Sequence, residues 1–283
     1  MRQHRSPFVC RIVVAAVLAG VVACGPPLPK TDARDRFDLA TGTVRLAAGE
    51  VAIEYIGHAA FRIHSPGGTR VIVDPFASRV WLGYDFPDSL EADAILITHP
   101  HYDHDAGHRM RRPFPWKPDV PVYRDPGSYL VGDVAIHGVR GKHADPYGME
   151  FGQINTLWVL EVADLRIAHL GDNGPLTVAN VAALGRVDVL MMPIDGDYHI
   201  LAAEEIEANL IALEPRVLIP MHYRLPALEA DPESPSDLGP IDPWLEGRAN
   251  AERLPGHVAV LSRETLPQNA ILVFVHSPEV RQH

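Results

Sequence analysis

The chain has 283 residues, 47% hydrophobic and 22% charged, a balance that supports a sizeable folded core and sets it apart from disordered chains. Its formal charge of -11, with no long basic run, argues against a nucleic-acid partner and so against nuclease chemistry. Cys10 and Cys24 are the only cysteines.

The first 23 residues carry arginines at 2, 5 and 11, an apolar stretch from Ile12 to Val22 and small residues before Cys24, the layout of an export signal. That stretch is shorter than the roughly 20 residues a permanent membrane span needs. Val21-Val22-Ala23-Cys24 resembles a bacterial lipobox, which implies cleavage before Cys24 and acylation of its thiol. The plainer alternative is an ordinary secretory signal with an incidental cysteine. Gly25-Pro26-Pro27-Leu28-Pro29-Lys30 then reads as a Pro-rich tether, so residues 24–44 are expected to join a lipid anchor to a single domain spanning 45–283. Gly25, rather than Asp, behind the cysteine is similar to an outer-membrane address, with the protein facing the periplasm. Removing the three leader arginines, with no acids lost, takes the charge from -11 to -14. The one remaining thiol would be blocked by lipid, which leaves no internal disulfide and no thiolate ligand.

Beyond the tether, Val51 to Tyr55 alternates apolar and polar residues. Ala59 to His64, Ser65-Pro66-Gly67-Gly68-Thr69 and Val71-Ile72-Val73 read as a hairpin with a glycine turn. The apolar run Ala94-Ile95-Leu96-Ile97 reads as a buried strand. Further strands are predicted at Val134 to His137, Thr156 to Val162, Leu165 to His169, Val187 to Met192, Val217 to Met221, His257 to Leu261 and Ala270 to Val275. Helices fit at Asn180 to Leu184 and at Ala202 to Leu213, where Ile206, Leu210 and Leu213 share a face and Pro215 follows the end. Strands in two sequence halves with interspersed helices suit an α/β fold, a four-layer αββα sandwich. Pro113 to Pro118 and Leu225 to Pro243 have no regular pattern and are expected to be loops. The second either shapes access to a site at His222 or is an acidic, solvated loop.

The chemistry concentrates in Ile97-Thr98-His99-Pro100-His101-Tyr102-Asp103-His104, three histidines and a carboxylate within six positions after a buried strand. Imidazole and carboxylate together suit zinc, manganese or iron, whereas calcium and magnesium prefer oxygen shells. In an extended strand exit, side chains two apart share a side, so His99 and His101 can grip one ion. Asp103 and His104 follow the break at Pro100 and can turn toward a second.

His-x-His-x-Asp-His resembles the signature of the metallo-β-lactamase superfamily. The rest of that family's pattern follows in order: His143 in Gly141-Lys142-His143-Ala144-Asp145, Asp172 closing Ile167-Ala168-His169-Leu170-Gly171-Asp172, and His222 in Leu218-Ile219-Pro220-Met221-His222. Upstream, Tyr55-Ile56-Gly57-His58 and Val71-Ile72-Val73-Asp74-Pro75 resemble the branch containing ascorbate-phosphate lactonase-like proteins and N-acyl-phosphatidylethanolamine phospholipases. The likeness runs from about Val51 to the C-terminus and implies the αββα fold. It implies one ion on His99, His101 and His143 and a second on Asp103, His104 and His222, with Asp172 bridging. It also implies that His58 lines the site or packs beside it, and that Asp74 orients a ligand from behind. Tyr198 and His199 lie in a loop that faces the metals in the family, where either would donate a proton or bind substrate; with Asp103 they are the catalytic candidates. His64, His137, His169, His257 and His276 lie in expected strands and read as packing or surface histidines.

Two divalent cations less two carboxylates and a bridging hydroxide leave roughly one positive charge to attract an anionic or polarised substrate. Three readings remain open. The first is a dinuclear hydrolase, with zinc the expected metal and manganese or iron the alternatives, cleaving a phosphodiester, lactone or other ester of small-molecule or lipid origin. The second is a metal-binding envelope lipoprotein without turnover. The third is a solute-binding or scaffolding lipoprotein. A β-lactam substrate fits less well, because the Gly-His and Asp-Pro elements resemble the other branch.

Overall fold

Two kinds of strand build this fold, continuous apolar runs buried on both faces and alternating runs with one wet face, and their order in the sequence decides which lie centrally. The computed structural model describes residues 36–38, 41–78, 81–107, 117–144, 146–194, 200–225 and 238–282. The leader, Cys24, His108, the Pro113–Pro115 stretch, Tyr198, His199 and residues 226–237 lie outside the described residues.

In chain order the first strands are β1 (Phe37–Asp38), β2 (Thr43–Val44), β3 (Glu50–Gly57), β4 (Ala60–His64), β5 (Arg70–Val73), β6 (Tyr84–Asp85), β7 (Ala94–Leu96) and β8 (Val122–Tyr123). There follow β9 (Gly127–Val131), β10 (Val134–Lys142), β11 (Ile154–Val162), β12 (Leu165–His169), helix α1 (Val178–Leu184), β13 (Val189–Pro193), helix α2 (Ala203–Leu213) and β14 (Val217–Met221). The chain closes with helix α3 (Asp242–Leu245), β15 (Ala251–Arg253), β16 (Val258–Ser262), β17 (Ala270–Val273) and β18 (Arg281–Gln282).

Two mixed sheets result. One runs β15-β17-β14-β13-β12-β11-β10-β9 and the other β16-β3-β4-β5-β7-β8. The parallel pairs β12–β13 and β13–β14 lie within the first sheet, and β5–β7 and β7–β8 run to the edge of the second. Their strands β13, β14 and β7 are buried throughout, as parallel strands covered on both faces require. The antiparallel strands β9 to β11 form an outer flank, where β9 alternates half-buried and exposed residues. Tyr55, Phe61, Trp158 and Ile167 lie in the apolar core. His169 ties the sheets together: its Nε2–H donates to Ala59 O at 2.9 Å and its Nδ1 accepts from Gly171 N at 3.1 Å. That is the satisfied, structural role expected of a strand histidine.

α1 begins where Thr177 accepts from Asn180 N, and Asn180 also donates to Arg140 O at 2.9 Å, seating the helix on β10. α2 buries Ile206 and Leu213 as its spacing predicts, with Leu210 packed partly buried beside them.

The structure departs from the sequence reading at three places. Part of the expected tether is folded: β1 and β2 pair, and Phe37 sets its ring edge-on against His64 and His257. Arg36 ties this hairpin to β3 through Glu50, and Phe37 rests on His64, which with Arg62 donates to the buried Glu54 at 2.9 and 2.7 Å. Second, β9, β15 and the two-residue strands β6, β8 and β18 occupy stretches left without a strand, because they owe their extension to the neighbour they pair with. Third, the end of the expected 225–243 loop enters α3, with Pro243 in the first turn, where its missing N–H costs nothing.

Candidate metal centre

Every candidate ligand that the structure describes lies at a strand end on one rim of the sandwich. β7 delivers Thr98 to His104, β10 ends into His143, β12 into Asp172, β14 into His222, and the β3–β4 turn holds His58. Ligand sites at the carboxyl ends of parallel strands are the rule in open α/β sheets, since there adjacent loops diverge and leave a crevice.

Two groups of donor atoms form. His99, His101, His143 and Asp172 make one, and His58, Asp103, His104 and His222 the other, each with its atoms within 4.8 Å of one another. Asp172 reaches both: Oδ1 lies 3.1 Å from His104 Nε2, and Oδ2 lies 3.2 Å from His222, 3.6 Å from His99 and 3.7 Å from His143. The seven residues named by the family pattern thus lie together, and the Asp172 carboxylate reaches both groups.

The hydrogen bonds behind these side chains fix which nitrogen faces inward. Asp74 accepts from His104 Nδ1 at 2.7 Å, from Thr98 N at 2.8 Å and from Thr98 Oγ1 at 2.6 Å. With its hydroxyl proton committed to Asp74, Thr98 Oγ1 accepts from His99 Nδ1 at 3.0 Å. His143 Nδ1 donates to Ala144 O at 2.8 Å. Each of these rings therefore spends its Nδ1 proton outward and turns Nε2 into the pocket. There, buried, His99 Nε2, His104 Nε2, His143 Nε2 and Asp172 Oδ1 have no hydrogen-bond partner. Several buried donor atoms left unsatisfied around one point are costly unless something of opposite character sits among them. A pair of divalent cations fits that requirement, and the all-nitrogen-and-oxygen set suits zinc, manganese or iron.

Electrostatics agree. Burial opposes the charge on Asp172, but His104 and His222 outweigh it and hold the carboxyl well below the usual range. Asp103 is likewise held low against burial by His104 beside it, helped by His222 and by the hydrogen bond from His58. Burial opposes a proton on His222, yet Asp172 and Asp103 raise its pKa to about 10.

Asp74 occupies the orienting position expected of it. His58 sits closer to the ligands than a lining residue would: its Nε2 donates to Asp103 Oδ2 at 3.0 Å, and its ring centroid is 4.1 Å from that of His222. Burial pushes its pKa down to about 3, so it is a neutral ring whose single proton serves Asp103. The sequence reading missed Thr98, although it stands directly before His99, and Asn155, which accepts from Asp172 N at 3.2 Å and donates to Leu170 O at 2.8 Å. It also missed Gln153, whose amide donates to His101 Nε2 at 3.1 Å, and Trp81 and Tyr147, whose rings lie against the histidines. Only Thr98 carried a positional signal.

Comparison with known proteins agrees with this geometry. Residues 52–222 match the family model described as a β-lactamase superfamily domain. A UPF0173 metal-dependent hydrolase of Thermococcus onnurineus is 30% identical over 65% of this chain and 89% of its own length. One from Myxococcus xanthus is 28% identical over 81% of this chain and 90% of its own. A solved structure from Thermotoga maritima, designated a Zn-dependent hydrolase of the metallo-β-lactamase superfamily, superposes with a TM-score of 0.59 at 27% identity, covering 80% of this chain and all of that one. With two sheets of this order, two His/Asp metal sites on their shared rim and these relatives, the chain belongs to the metallo-β-lactamase superfamily and, within it, to the UPF0173 family of metal-dependent hydrolases.

Proposed function

We propose that the chain holds two divalent cations, zinc first among them, and hydrolyses an ester, lactone or phosphodiester. The observation that carries this is the pair of donor groups bridged by Asp172, with buried Nε2 atoms turned inward and their Nδ1 protons spent elsewhere. Bound there, the cations would lower the pKa of a water to near 7 and polarise the substrate's oxygen. The chain's own contribution is to position. Asp74 locks His104 directly and His99 through Thr98, so the two groups share one brace. His58 holds Asp103, and Asn155 holds the Gly171–Asp172 turn. Tyr198 and His199 are proposed to protonate the leaving group, on the strength of the family resemblance. The Gly57-His58 and Asp74-Pro75 elements favour the lactonase and phospholipase branch over β-lactam cleavage.

Metal analysis of the purified protein, with an ester and phosphodiester panel run on the same sample, tests the reading. The expected result is two metal equivalents, activity lost on chelation and regained with zinc, and turnover abolished in His101→Ala and Asp172→Ala. Full turnover in both variants would remove the dinuclear mechanism, and bound metal without turnover would leave a metal-binding protein. Membrane attachment is proposed from the lipobox resemblance alone. Among the described residues no helix is long and apolar enough to cross a membrane. Cys24→Ser is expected to release the protein from membranes, and unchanged fractionation would argue against acylation.

A further inference from the structure

The loop from Pro146 to Gln153 is closed by its own backbone. Glu150 N donates to Pro146 O at 2.9 Å, Gln153 N to Tyr147 O at 3.0 Å, and His143 N to Gln153 O at 3.1 Å. Gly148 N donates to Ala144 O at 3.1 Å, and a Cβ on Gly148 would stand 1.7 Å from His143 O, so only glycine lets the loop lie this close to a ligand. A loop so fastened has no need to expose apolar side chains, yet it shows Tyr147 at 45%, Met149 at 72% and Phe151 at 69%. Among the described residues eight large hydrophobic side chains are exposed, and these three with Tyr102, inside the ligand motif, make up half of them. Apolar surface gathered in one place marks an occupant.

Continuity with the metal centre says which. The Tyr147 ring centroid is 4.8 Å from that of His101 and 5.3 Å from that of His143, and Phe151 follows at 6.0 Å from Tyr147. A molecule whose reacting bond sits at the ligands therefore meets Tyr147 next and Phe151 beyond it. We infer that the Tyr147–Phe151 loop is the specificity element of the site, and that the substrate carries an extended apolar acyl or alkyl chain running outward from the scissile bond on the His101–His143 side. The inference rests on the hydrolytic reading. Contact made away from the reacting bond raises kcat/KM where it is retained in the transition state.

The test is a series of p-nitrophenyl esters from acetate to dodecanoate, given to the metal-loaded full chain and to Phe151→Ser, with metal content checked in both. The parent is expected to gain about threefold in kcat/KM for each methylene that reaches the loop, and Phe151→Ser to cut the dodecanoate-to-acetate ratio about tenfold. An unmoved ratio at equal metal content overturns the inference and assigns the loop to another contact, such as a membrane surface or a second chain. Calorimetric binding of linear alkylphosphonates keeps the two readings apart. Affinity that rises with chain length in the parent but not in Phe151→Ser supports the loop's role even if no ester is cleaved. Hydrolysis with no chain-length dependence in the parent overturns it and leaves the hydrolase standing.

Discussion

His58, Asp74 and His222 all hold left-handed backbone angles, with φ of +55°, +47° and +62°, and Trp81 beside them has +61°. Such angles in side-chain-bearing residues cost about 1–3 kcal/mol each and persist only where the surroundings impose them. Here the imposition is visible: His58 O accepts from both His222 N and Tyr55 Oη at 3.1 Å. The strain turns three side chains inward from strand ends that would otherwise run past the site. Asp74 then serves both groups at once, so Asp74→Asn is expected to weaken metal binding about 10- to 100-fold, read by competition with a chromophoric chelator. Unaltered affinity would mean that the ligands orient themselves. Because Asp172, Asp103 and Asp74 overcome burial to keep His104 protonated well above its ordinary range, and His222 titrates near 10, loading the site must expel protons. Metal affinity is therefore expected to fall as pH falls, with proton release seen by an indicator dye in weak buffer. Binding that is independent of pH between 6 and 9 would contradict this.

At the scale of elements, each sheet supplies part of the site through its parallel strands, and glycines set how closely the two approach. Gly171 has φ +52°, and a Cβ there would lie 2.5 Å from Thr98 Oγ1 and 2.6 Å from Asn155 Oδ1. Gly171→Ala would push the Asp172 turn of one sheet away from the Thr98 brace of the other. The expected cost is about 1–3 kcal/mol of stability in denaturant unfolding, with lower occupancy of both ions. A variant of parental stability and metal content would show that the turn has slack. The same elements show what the sequence revealed. Val217–Met221 was legible to the residue, since an unbroken apolar run has one home in a buried parallel sheet, and Leu165–His169 was legible from its alternation, with Arg166 on the wetter face. β9 was not, because its extension comes from pairing with β10. The β1–β2 hairpin was hidden too, for it is held by Glu50, Arg62, His64 and His257, all on or beside strands it meets only in the fold.

Across the whole molecule, the cluster from His99 to His104 was readable from local spacing, and His143, Asp172 and His222 only through the family resemblance. The brace through Thr98, the reach of His58 to Asp103 and the exposed Tyr147–Phe151 rim were not, because they arise only when strands far apart in sequence are stacked. The buried Glu54 group lies on β3, apart from the metal ligands, and links stability to acid. Burial opposes its ionisation, but the hydrogen bond from His64 and the charge of Arg62 hold its carboxyl below the ordinary value. Its contribution is thus complete above the usual carboxylate pKa and is lost as pH falls through the lowered one. Glu54→Gln is expected to flatten the acid limb of stability against pH; an unchanged limb would place the acid sensitivity elsewhere.

The central claim is that two cations share this rim. Anomalous diffraction at the zinc edge from crystals of the zinc-loaded protein tests it most directly. Two peaks are expected, one about 2.0–2.1 Å from the Nε2 atoms of His99 and His143 and close to His101, the other at similar range from Asp103, His104 and His222, with Asp172 between them. A single peak, or two peaks away from Asp172, would contradict it.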